Sequence, residues 1–458
     1  MIFGDRTKSA SPAEPMTQSK PPMGSQSPQP AAASYSPPTL TPELAKICRT
    51  FSERLLASLE SQTGNTTNTP EMIALLSERF EQLYAHANLS LSEPDKKLLL
   101  TGVLDEVIGY GELGPLLRDT AISEIMVNGP RSIWVERNGK LTQLSTKFDQ
   151  DEQLMRIAQR IVRPLGRTVD RKKPYVDARL PDGSRVNIII PPCALPGPTI
   201  TIRKFPSKRL TVDDLIKFGT LTKKIADFMQ ACIAARLNII VAGGTGSGKT
   251  TLLNVLSSFI PSNERIVTIE DSAELQLSQP HVVGMETAPP DVDGSGQVTI
   301  RDLVVNSLRM RPDRLVIGEV RSGEALDLLQ AMNTGHDGSL ATVHANTARD
   351  AISRLETLAL MSGLNIPVEV IRRQIASAID LIILQARLRD GSRRIVQVTE
   401  VQGMEVNTVI LQDVFTYRVP STPGGEGKGN LEPTGVRPKF MPRLEEAGFR
   451  LGTEVFLK

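Results

Sequence analysis

The chain has 458 residues, 40% of them hydrophobic and 23% charged, a composition normal for a globular protein of two or three domains. Its net charge of only +2 argues against a dedicated nucleic-acid binder. Cys48, Cys193 and Cys232 are widely spaced, which argues against a disulfide framework or a structural zinc site and fits a reducing cytosol. No apolar run has bilayer length and no apolar signal segment opens the chain, so we expect any membrane association to be peripheral.

The amino-terminal region divides into a tail and a helical module. Residues 1–40 are rich in Pro, Ser, Gln and Ala, which predicts a disordered tail. Thr41-Pro42 and Thr69-Pro70 are helix-start signals, each followed by apolar residues at helical spacing, and a third helix is expected from about Ser92 to Ile108. We therefore predict a helical N-terminal module over residues 41–115, whose apolar stripes serve packing.

Residues 116–206 change to alternating, β-type patterns with hairpin turns at Asn138-Gly139 and Pro181–Ser184. This pattern predicts an α+β domain, followed by a linker over residues 207–214. Its expected strands are Ile122–Val127, Ser132–Leu144, Val176–Leu180, Arg185–Ile190 and Thr199–Phe205, with a helix over Asp151–Val162.

Residues 215–420 alternate helix and strand, which predicts an α/β domain with a doubly wound, mainly parallel sheet. Four glycines between residues 424 and 429 indicate a flexible segment, so residues 421–458 are expected to form that segment and a short tail. The expected strands are Leu237–Val241, Arg265–Ile269, Arg314–Ile317, Gly338–Val343 and Leu381–Leu384.

A complete P-loop pattern lies between the first of these strands and a predicted helix. It runs from Gly243 through Gly248, Lys249 and Thr250. Its glycines allow successive backbone N–H groups to turn toward phosphate oxygens, and the following helix adds a favourable dipole. Lys249 can reach the β- and γ-phosphates and the Thr250 hydroxyl can bind Mg²⁺. The pattern therefore predicts a nucleotide site that also binds Mg²⁺.

Two later strands end in acidic residues, at Glu270-Asp271 and at Glu319. Since strand ends meet around the ligand in a doubly wound sheet, we expect these carboxylates to face the γ-phosphate, the alternative being ordinary solvated charges. His336 and His344 bracket a further strand. Each could contact phosphate, lie at the surface, or lie in the core with a hydrogen bond to the backbone. The patterns do not choose among several arginines near this site: Arg167, Arg171, Arg179, Arg185, Arg203, Arg309, Arg311, Arg314 and Arg321.

Four blocks of the chain resemble the Walker A, Asp box, atypical Walker B and His box of the secretion and pilus ATPases. They are GGTGSGKTTLLN (243–254), RIVTIEDSAELQL (265–277), SLRMRPDRLVIGEVR (307–321) and TGHDGSLATVHAN (334–346). Three further blocks, at 122–141, 177–187 and 434–448, resemble the Flp/Tad pilus assembly ATPases of the CpaF type. The resemblance implies a RecA-like P-loop domain preceded by a PAS-like domain, with nucleotide held between the two.

The resemblance also implies residue roles. Lys249, Glu270, Glu319 and His344 match catalytic positions, and Arg185 and Arg203 match arginines that approach the γ-phosphate from the PAS-like domain. Thr250 and Glu319 match the positions that support Mg²⁺, and Ala341 departs from the family, where a hydroxyl residue is common. The residues that match the nucleotide-binding loop are Gly243, Gly244, Thr245, Gly246, Ser247, Gly248, Lys249, Thr250 and Thr251.

The function implied by the resemblance is a homohexameric ATPase, cytoplasmic and peripheral at the inner membrane. It would power Flp/Tad-type pilus assembly or related type II/IV secretion through an inner-membrane platform protein, with no nucleic acid as partner. Two alternatives stay open: a nucleotide-organised scaffold with little turnover, and a RecA-like nucleic-acid motor. A GTPase is disfavoured because no Asn-Lys-x-Asp motif is present in the sequence.

Overall fold

The chain forms two compact units, residues 1–205 and 206–458. The tail predicted over residues 1–40 lies outside the described part of the chain except for Leu40, and residues 420–428 also lie outside it. The computed structural model describes residues 40–60, 69–87, 89–137, 139–205, 209–290, 294–419 and 429–457.

The first unit begins with the three predicted helices, which are confirmed. The Thr69 hydroxyl accepts a hydrogen bond from the backbone N–H of Met72, and the Ser92 hydroxyl accepts one from that of Asp95, so both caps satisfy an unpaired helix donor. The helices are α1 (Pro42–Glu60), α2 (Pro70–His86) and α3 (Glu93–Val107). Their buried core includes Phe51, Leu55, Leu76, Phe80 and Leu99.

The rest of the first unit contains an antiparallel sheet, a short helix and a longer helix. The helices are α4 (Leu113–Arg118) and α5 (Asp151–Val162), and the strands are β1 (Ile122–Asn128), β2 (Ile133–Arg137), β3 (Lys140–Gln143), β4 (Tyr175–Arg179), β5 (Arg185–Ile189) and β6 (Thr199–Arg203). The strand order is β3-β2-β1-β6-β5-β4. Alternate residues such as Ile125 and Ile202 are buried in the same cluster as Ile157 of α5, so one face of the sheet packs on the helix. The predicted α+β pattern is confirmed.

The second unit is built on one large sheet with helices. Its strands are β7 (Ile239–Gly243), β8 (Ile266–Glu270), β9 (Val282–Glu286), β10 (Arg314–Val320), β11 (Leu340–His344), β12 (Leu381–Arg387), β13 (Arg393–Glu405), β14 (Thr408–Arg418) and β15 (Asn430–Pro433). Its helices are α6 (Val212–Lys217), α7 (Lys223–Ala234), α8 (Lys249–Ser257), α9 (Ile300–Ser307), α10 (Glu324–Asn333), α11 (Ala348–Leu360), α12 (Val368–Ala378) and α13 (Met441–Glu446).

The order of the strands in this sheet is β15-β14-β13-β12-β7-β11-β10-β8-β9. The pairs from β12 to β9 are parallel, whereas β12 to β15 pair antiparallel. Alternate residues of one strand enter different cores: Ile240 and Ala242 lie in one cluster, and Ile239 and Val241 in the other. Both faces of the sheet are therefore covered, which confirms the doubly wound α/β fold.

The carboxyl-terminal region departs from the prediction of a segment and tail over residues 421–458. Strand β15 pairs with β14, and Phe440, Leu444 and Phe456 are buried in a core of the second unit. The ring of Phe456 lies 5.8 Å from that of Phe228 in α7, nearly perpendicular to it. Residues 429–457 are therefore an integral part of the fold. Similarly, α6 already begins at Val212, inside the predicted linker over residues 207–214.

Candidate functional site

The P-loop connects β7 to α8 and has the backbone that its glycines allow. All five residues of β7 are buried, and α8 begins at Lys249. Gly246 and Gly248 have φ angles of +69° and +93°, in the left-handed region that favours glycine. Such turns point successive backbone N–H groups to one side, and the amino end of a nine-residue helix lies directly behind them. The loop therefore has the backbone conformation expected of a phosphate cradle.

Two glycines of the loop lie close to atoms of β12, of β13 and of the loop itself. A Cβ atom on Gly243 would lie 2.3 Å from the backbone oxygen of Gln385 and 2.6 Å from Ser247 Oγ. A Cβ atom on Gly248 would lie 3.0 Å from Arg393 Cδ and 3.3 Å from Gln385 Nε2. Gln385 and Arg393 were missed by the sequence analysis. Gln385 carried a signal, since it is a polar residue that ends the apolar run Leu381–Leu384.

Lys249 points back over the loop, where its Nζ donates a hydrogen bond to the backbone oxygen of Gly244 at 3.3 Å. Burial lowers the pKa of Lys249, and the opposing influence of nearby Glu319 raises it less than burial lowers it. Ser247 Oγ is buried and has no hydrogen-bond partner among the described residues. A bound phosphate would supply both a counter-charge for Lys249 and a partner for this hydroxyl, so the residues present fit a nucleotide phosphate.

Glu270 ends β8 and is engaged by the loop that follows it. Its side chain is buried, with the residue 3% exposed, and Oε1 accepts hydrogen bonds from the backbone N–H groups of Glu274 at 2.9 Å and Leu275 at 3.1 Å. Gly318 of β10 provides the room, since a Cβ atom there would lie 2.9 Å from Glu270 Cγ. The carboxylate therefore fixes residues 271–275 as well as lying at the strand end.

Arg321 joins the acidic ends of β8 and β10. Its Nε and Nη2 donate to Glu319 Oε2 at 3.1 and 2.8 Å, and its Nη1 donates to Asp271 Oδ2 at 2.7 Å. The Glu319 side chain is 26% exposed and close enough to influence the pKa of Lys249. Arg321 is thus the arginine of the span 307–321 that lies among the acidic strand ends.

His344 ends β11 beside the P-loop, because it is the ladder partner of Gly243 in the adjacent parallel strand. Two residues earlier, the buried Thr342 donates its hydroxyl hydrogen to the backbone oxygen of Gly318 at 2.6 Å. Ala341 is fully buried in an apolar core of the second unit. The parallel register therefore brings the ends of β7, β8, β10 and β11 together around the P-loop.

Comparison with known proteins now adds to this geometry. The model of the family described as "Type II/IV secretion system protein" matches residues 109–415. The chain belongs to this family. It is 37% identical over 309 residues to the type IV secretion system protein PtlH of Bordetella pertussis, covering 62% of this chain and 91% of the relative. It is 34% identical over 295 residues to the conjugal transfer protein TrbB of Rhizobium radiobacter, covering 64% and 87%.

Among solved structures, the VirB11 ATPase of the Brucella suis type IV secretion system is 30% identical to this secretion-family chain. The match covers 63% of this chain and 92% of that one, with a TM-score of 0.35.

The two arginines expected to approach the γ-phosphate lie in the first unit of this secretion-family protein. Arg185 of β5 and Arg203 of β6 are ladder partners, so they lie side by side on adjacent strands. The Arg203 side chain is 61% exposed, and its Nε lies 3.9 Å from Glu124 Oε1, the neighbouring position on β1. The first unit therefore presents two adjacent guanidinium groups, whose approach to nucleotide stays a proposal.

His336 is not part of this edge. It precedes β11, whereas the P-loop and His344 follow strand ends, so His336 lies at the opposite edge of the sheet. Buried Arg314 begins β10 at that opposite edge and pairs with Glu264. Burial lowers the pKa of Arg314. Arg314 is therefore a structural arginine, and exposed Arg309 and Arg311 precede the strand.

The residues present can hold a magnesium ion only together with phosphate oxygens. Among the residues that the structure describes, no group of three or more His, Cys, Asp or Glu side chains could hold a metal. Thr250 in the first turn of α8 and Glu319 offer two oxygen ligands, which fits Mg²⁺ because this ion keeps waters and phosphate oxygens in its shell.

No helix within the described ranges is long and apolar enough to span a bilayer.

Proposed function

We propose that this secretion-family protein is a motor that hydrolyses ATP to ADP and phosphate. The observation that carries the proposal is the gathering of the P-loop, Glu270, Glu319 and His344 at the carboxyl edge of one parallel sheet. A phosphate cradle alone binds nucleotide, whereas hydrolysis also needs carboxylates for Mg²⁺ and for the attacking water. This edge of the sheet carries the P-loop and two carboxylates, Glu270 and Glu319, that could serve these tasks.

Each residue then has a chemical task. The loop N–H groups and Lys249 neutralise the β- and γ-phosphates, and Glu270 orients the water whose oxygen attacks the γ-phosphorus while the bond to the ADP oxygen breaks. Thr250 and Glu319 would hold Mg²⁺, which supplies charge neutralisation on the phosphates. His344, the ladder partner of Gly243, would hydrogen-bond the γ-phosphate and so respond to its loss.

The mechanical step is proposed to come from Arg185 and Arg203. With ATP bound, both guanidinium groups would contact the γ-phosphate. Hydrolysis removes that phosphate and its charge-assisted hydrogen bonds, so the contact would be lost. In a homohexameric ring this change would be transmitted to an inner-membrane platform protein, with the motor cytoplasmic and peripheral at that membrane.

The specific machine is proposed to be a Flp/Tad-type pilus, with the CpaF-type ATPases as the nearest subfamily. The blocks at 122–141, 177–187 and 434–448 support this assignment. The last of these includes part of the carboxyl-terminal region that packs into the second unit. Relatives named for conjugal transfer and type IV secretion support the broader class of cargo transport across the bacterial envelope.

Phosphate release from ATP, compared between the wild type and Lys249→Ala, tests the proposed activity. We expect turnover in the wild type and its loss in the variant, because Lys249 Nζ lies over the loop, 3.3 Å from the backbone oxygen of Gly244, where it would neutralise the β- and γ-phosphates. Exposed Lys140 in β3 of the first unit offers a matched control, and Lys140→Ala should keep wild-type turnover. Equal turnover in Lys249→Ala and the wild type would refute the site assignment.

A nucleotide-organised scaffold is the second candidate, and one observation favours it. Both catalytic carboxylates already have partners: Glu319 is paired with Arg321, and Glu270 accepts two backbone hydrogen bonds. If these contacts persist with ATP bound, the ring would assemble on nucleotide but turn over little. Tight ATP binding with no phosphate release, even with a membrane fraction added, would favour the scaffold.

A further inference from the structure

Arg393, the first residue of β13, reaches the P-loop from outside the parallel part of the sheet. Its Nε donates a hydrogen bond to the backbone oxygen of Gly246 at 3.0 Å. Its Cδ is also the nearest atom to the position that a Cβ on Gly248 would take, at 3.0 Å. The side chain therefore lies along the outer side of the loop and contacts it at two glycines.

Gln385 of β12 completes this outer support. It is 3% exposed, is the ladder partner of Gly243, and its backbone oxygen closes the space beside that glycine. Its Oε1 is buried without a hydrogen-bond partner among the described residues, while its Nε2 faces Gly248. The P-loop is thus enclosed from one side by two polar side chains, of which only Arg393 is charged.

We propose that Arg393 is a positioning residue of the nucleotide site: it holds the Gly246 carbonyl outward so that the loop N–H groups face the diphosphate of a bound nucleotide. The proposal rests on the proposed function in that the ligand is a nucleotide. It assigns to Arg393 a role that acts through the loop, with no contact to the nucleotide itself.

The physical reason is the freedom of glycine. Gly246 has a φ of +69°, and without a constraint a glycine peptide can flip and turn its carbonyl oxygen into the cradle, where it would repel phosphate. A guanidinium donor makes a stronger hydrogen bond to that oxygen than a neutral donor does. It also polarises the Gly246–Ser247 peptide, whose N–H donates to the backbone oxygen of Gly244 at 3.3 Å and so closes the turn of the loop. Fixing the loop before binding lowers the entropy that binding must overcome.

The next residue provides a matched comparison. Arg394 also donates to a backbone oxygen, through Nη1 to Phe218 at 2.8 Å, but Phe218 follows α6 and is not part of the P-loop. Successive strand residues point to opposite sides, which explains why two adjacent arginines serve two different segments. A third arginine, Arg389, is exposed in the turn between β12 and β13. Arg394 and Arg389 therefore separate loss of the loop contact from loss of positive charge.

The experiment measures ADP affinity of the full-length protein by titration calorimetry in Arg393→Ala, Arg393→Lys, Arg394→Ala and Arg389→Ala. Loss of one charge-assisted hydrogen bond at an exposed side chain is expected to weaken ADP binding by about tenfold in Arg393→Ala. Arg393→Lys keeps a cationic donor and should recover affinity to within about threefold of the wild type. The two control variants should stay within about twofold.

Turnover gives a second readout that a general loss of structure would not produce. Since the loop contact is equal in the ground and transition states, Arg393→Ala should raise KM for ATP by the same factor as the ADP dissociation constant and leave kcat within about twofold. Its melting temperature without nucleotide should fall no further than that of Arg394→Ala, because Arg393 is exposed whereas Arg394 is half-buried and each donates one hydrogen bond to a backbone oxygen.

Two results would overturn the proposal. One is ADP affinity in Arg393→Ala within twofold of the wild type; the other is an equal loss of affinity in Arg394→Ala. Failure of the proposed function gives a different result: a wild type that binds ADP but releases no phosphate refutes hydrolysis and leaves the role of Arg393 measurable. A wild type that binds no ADP refutes both.

Discussion

The replacement Glu270→Gln separates two roles that the structure gives to one carboxylate. Glu270 lies at the strand end where water activation is proposed, and it also accepts hydrogen bonds from the backbone N–H groups of Glu274 and Leu275. Glutamine keeps the shape of the side chain but loses the negative charge and one acceptor oxygen. Glu270→Gln should therefore weaken both the anchoring of the loop, which is measured by amide exchange, and the activation of water, which is measured by turnover.

The size of the structural effect follows from these contacts. A hydrogen bond to a charged acceptor contributes about 1.5–3 kcal/mol, against about 1 kcal/mol for a neutral one. With one acceptor retained, we expect local opening of residues 271–275 to become easier by about 1–2 kcal/mol, which is roughly a 5- to 30-fold change in the opening equilibrium. Loss of a general base or water-orienting group lowers turnover by about 10²- to 10⁴-fold.

Amide hydrogen exchange resolved at Glu274 and Leu275, together with phosphate release and ADP binding, measures both effects. We expect faster exchange at these two amides, strongly reduced turnover and nearly unchanged ADP affinity in Glu270→Gln. Exposed Glu405, the last residue of β13, provides the control substitution Glu405→Gln, which should change none of the three.

Three results would refute parts of this reasoning. Unchanged exchange at Glu274 and Leu275 would mean that the carboxylate does not anchor the loop. Wild-type turnover would remove Glu270 from the chemistry. A loss of ADP affinity as large as the loss of turnover would show that Glu270 only maintains the shape of the site.

Further predictions concern stability. Burial lowers the pKa of Lys249, so the charge on Lys249 opposes folding at any pH below that pKa. Without nucleotide, Lys249→Ala should therefore melt at or above the wild-type temperature near pH 7, and this advantage should shrink as the pH rises through the lowered pKa toward 10.5. A lower melting temperature for the variant near pH 7 would contradict this prediction. Gly338 has a φ of +82° and a Cβ there would lie 1.9 Å from Arg314 Nη1, so Gly338→Ala should lower the free energy of unfolding by about 2–5 kcal/mol. Gly363 has a φ of +78° and open space around its Cα, so Gly363→Ala should lose only the backbone part of that free energy, about 1–2 kcal/mol. Equal losses of unfolding free energy in Gly338→Ala and Gly363→Ala, measured by denaturant titration, would show that the clash with Arg314 contributes nothing. Phe456→Ala should lower the free energy of unfolding by about 3–5 kcal/mol in the same assay, because Phe456 is buried. A loss under 1 kcal/mol would instead support the prediction that the carboxyl-terminal residues form a tail outside the core.

The parts of the fold with strong local signals were predictable. The helix starts at Thr69 and Ser92 carry their own capping chemistry, and the central parallel strands are short apolar runs because both of their faces are buried. The P-loop could be predicted from the sequence because its backbone conformation requires glycines at fixed positions. These signals lie within a few residues of the structure that they specify.

The antiparallel extension β13–β15 was missed because its signals are weak or distant. The turn between β13 and β14 contains Val406 with a φ of +53°, where a glycine would have marked a hairpin. Strand β14 mixes buried and half-buried residues, and β15 has only four residues, so neither shows a clear alternation. The contact of Arg393 with the P-loop could not be predicted either, because it depends on this extension lying beside the loop.

Roles of the arginines and acids depended on strand position, which the sequence left open. Arg314 and Arg321 stand seven residues apart, but the first begins β10 and pairs with buried Glu264, while the second follows the end of the same strand beside Glu319. Their different environments come from opposite edges of one sheet. His336 and His344 are separated in the same way by β11.

The most direct test of the central claim is phosphate release from ATP across fractions of the full-length protein separated by size, with mass measured by light scattering. The account predicts that turnover coincides with the mass of six subunits and is lost in the Lys249→Ala variant at that same mass. A six-subunit ring that binds ATP yet releases no phosphate, or turnover unaffected by Lys249→Ala, would contradict it.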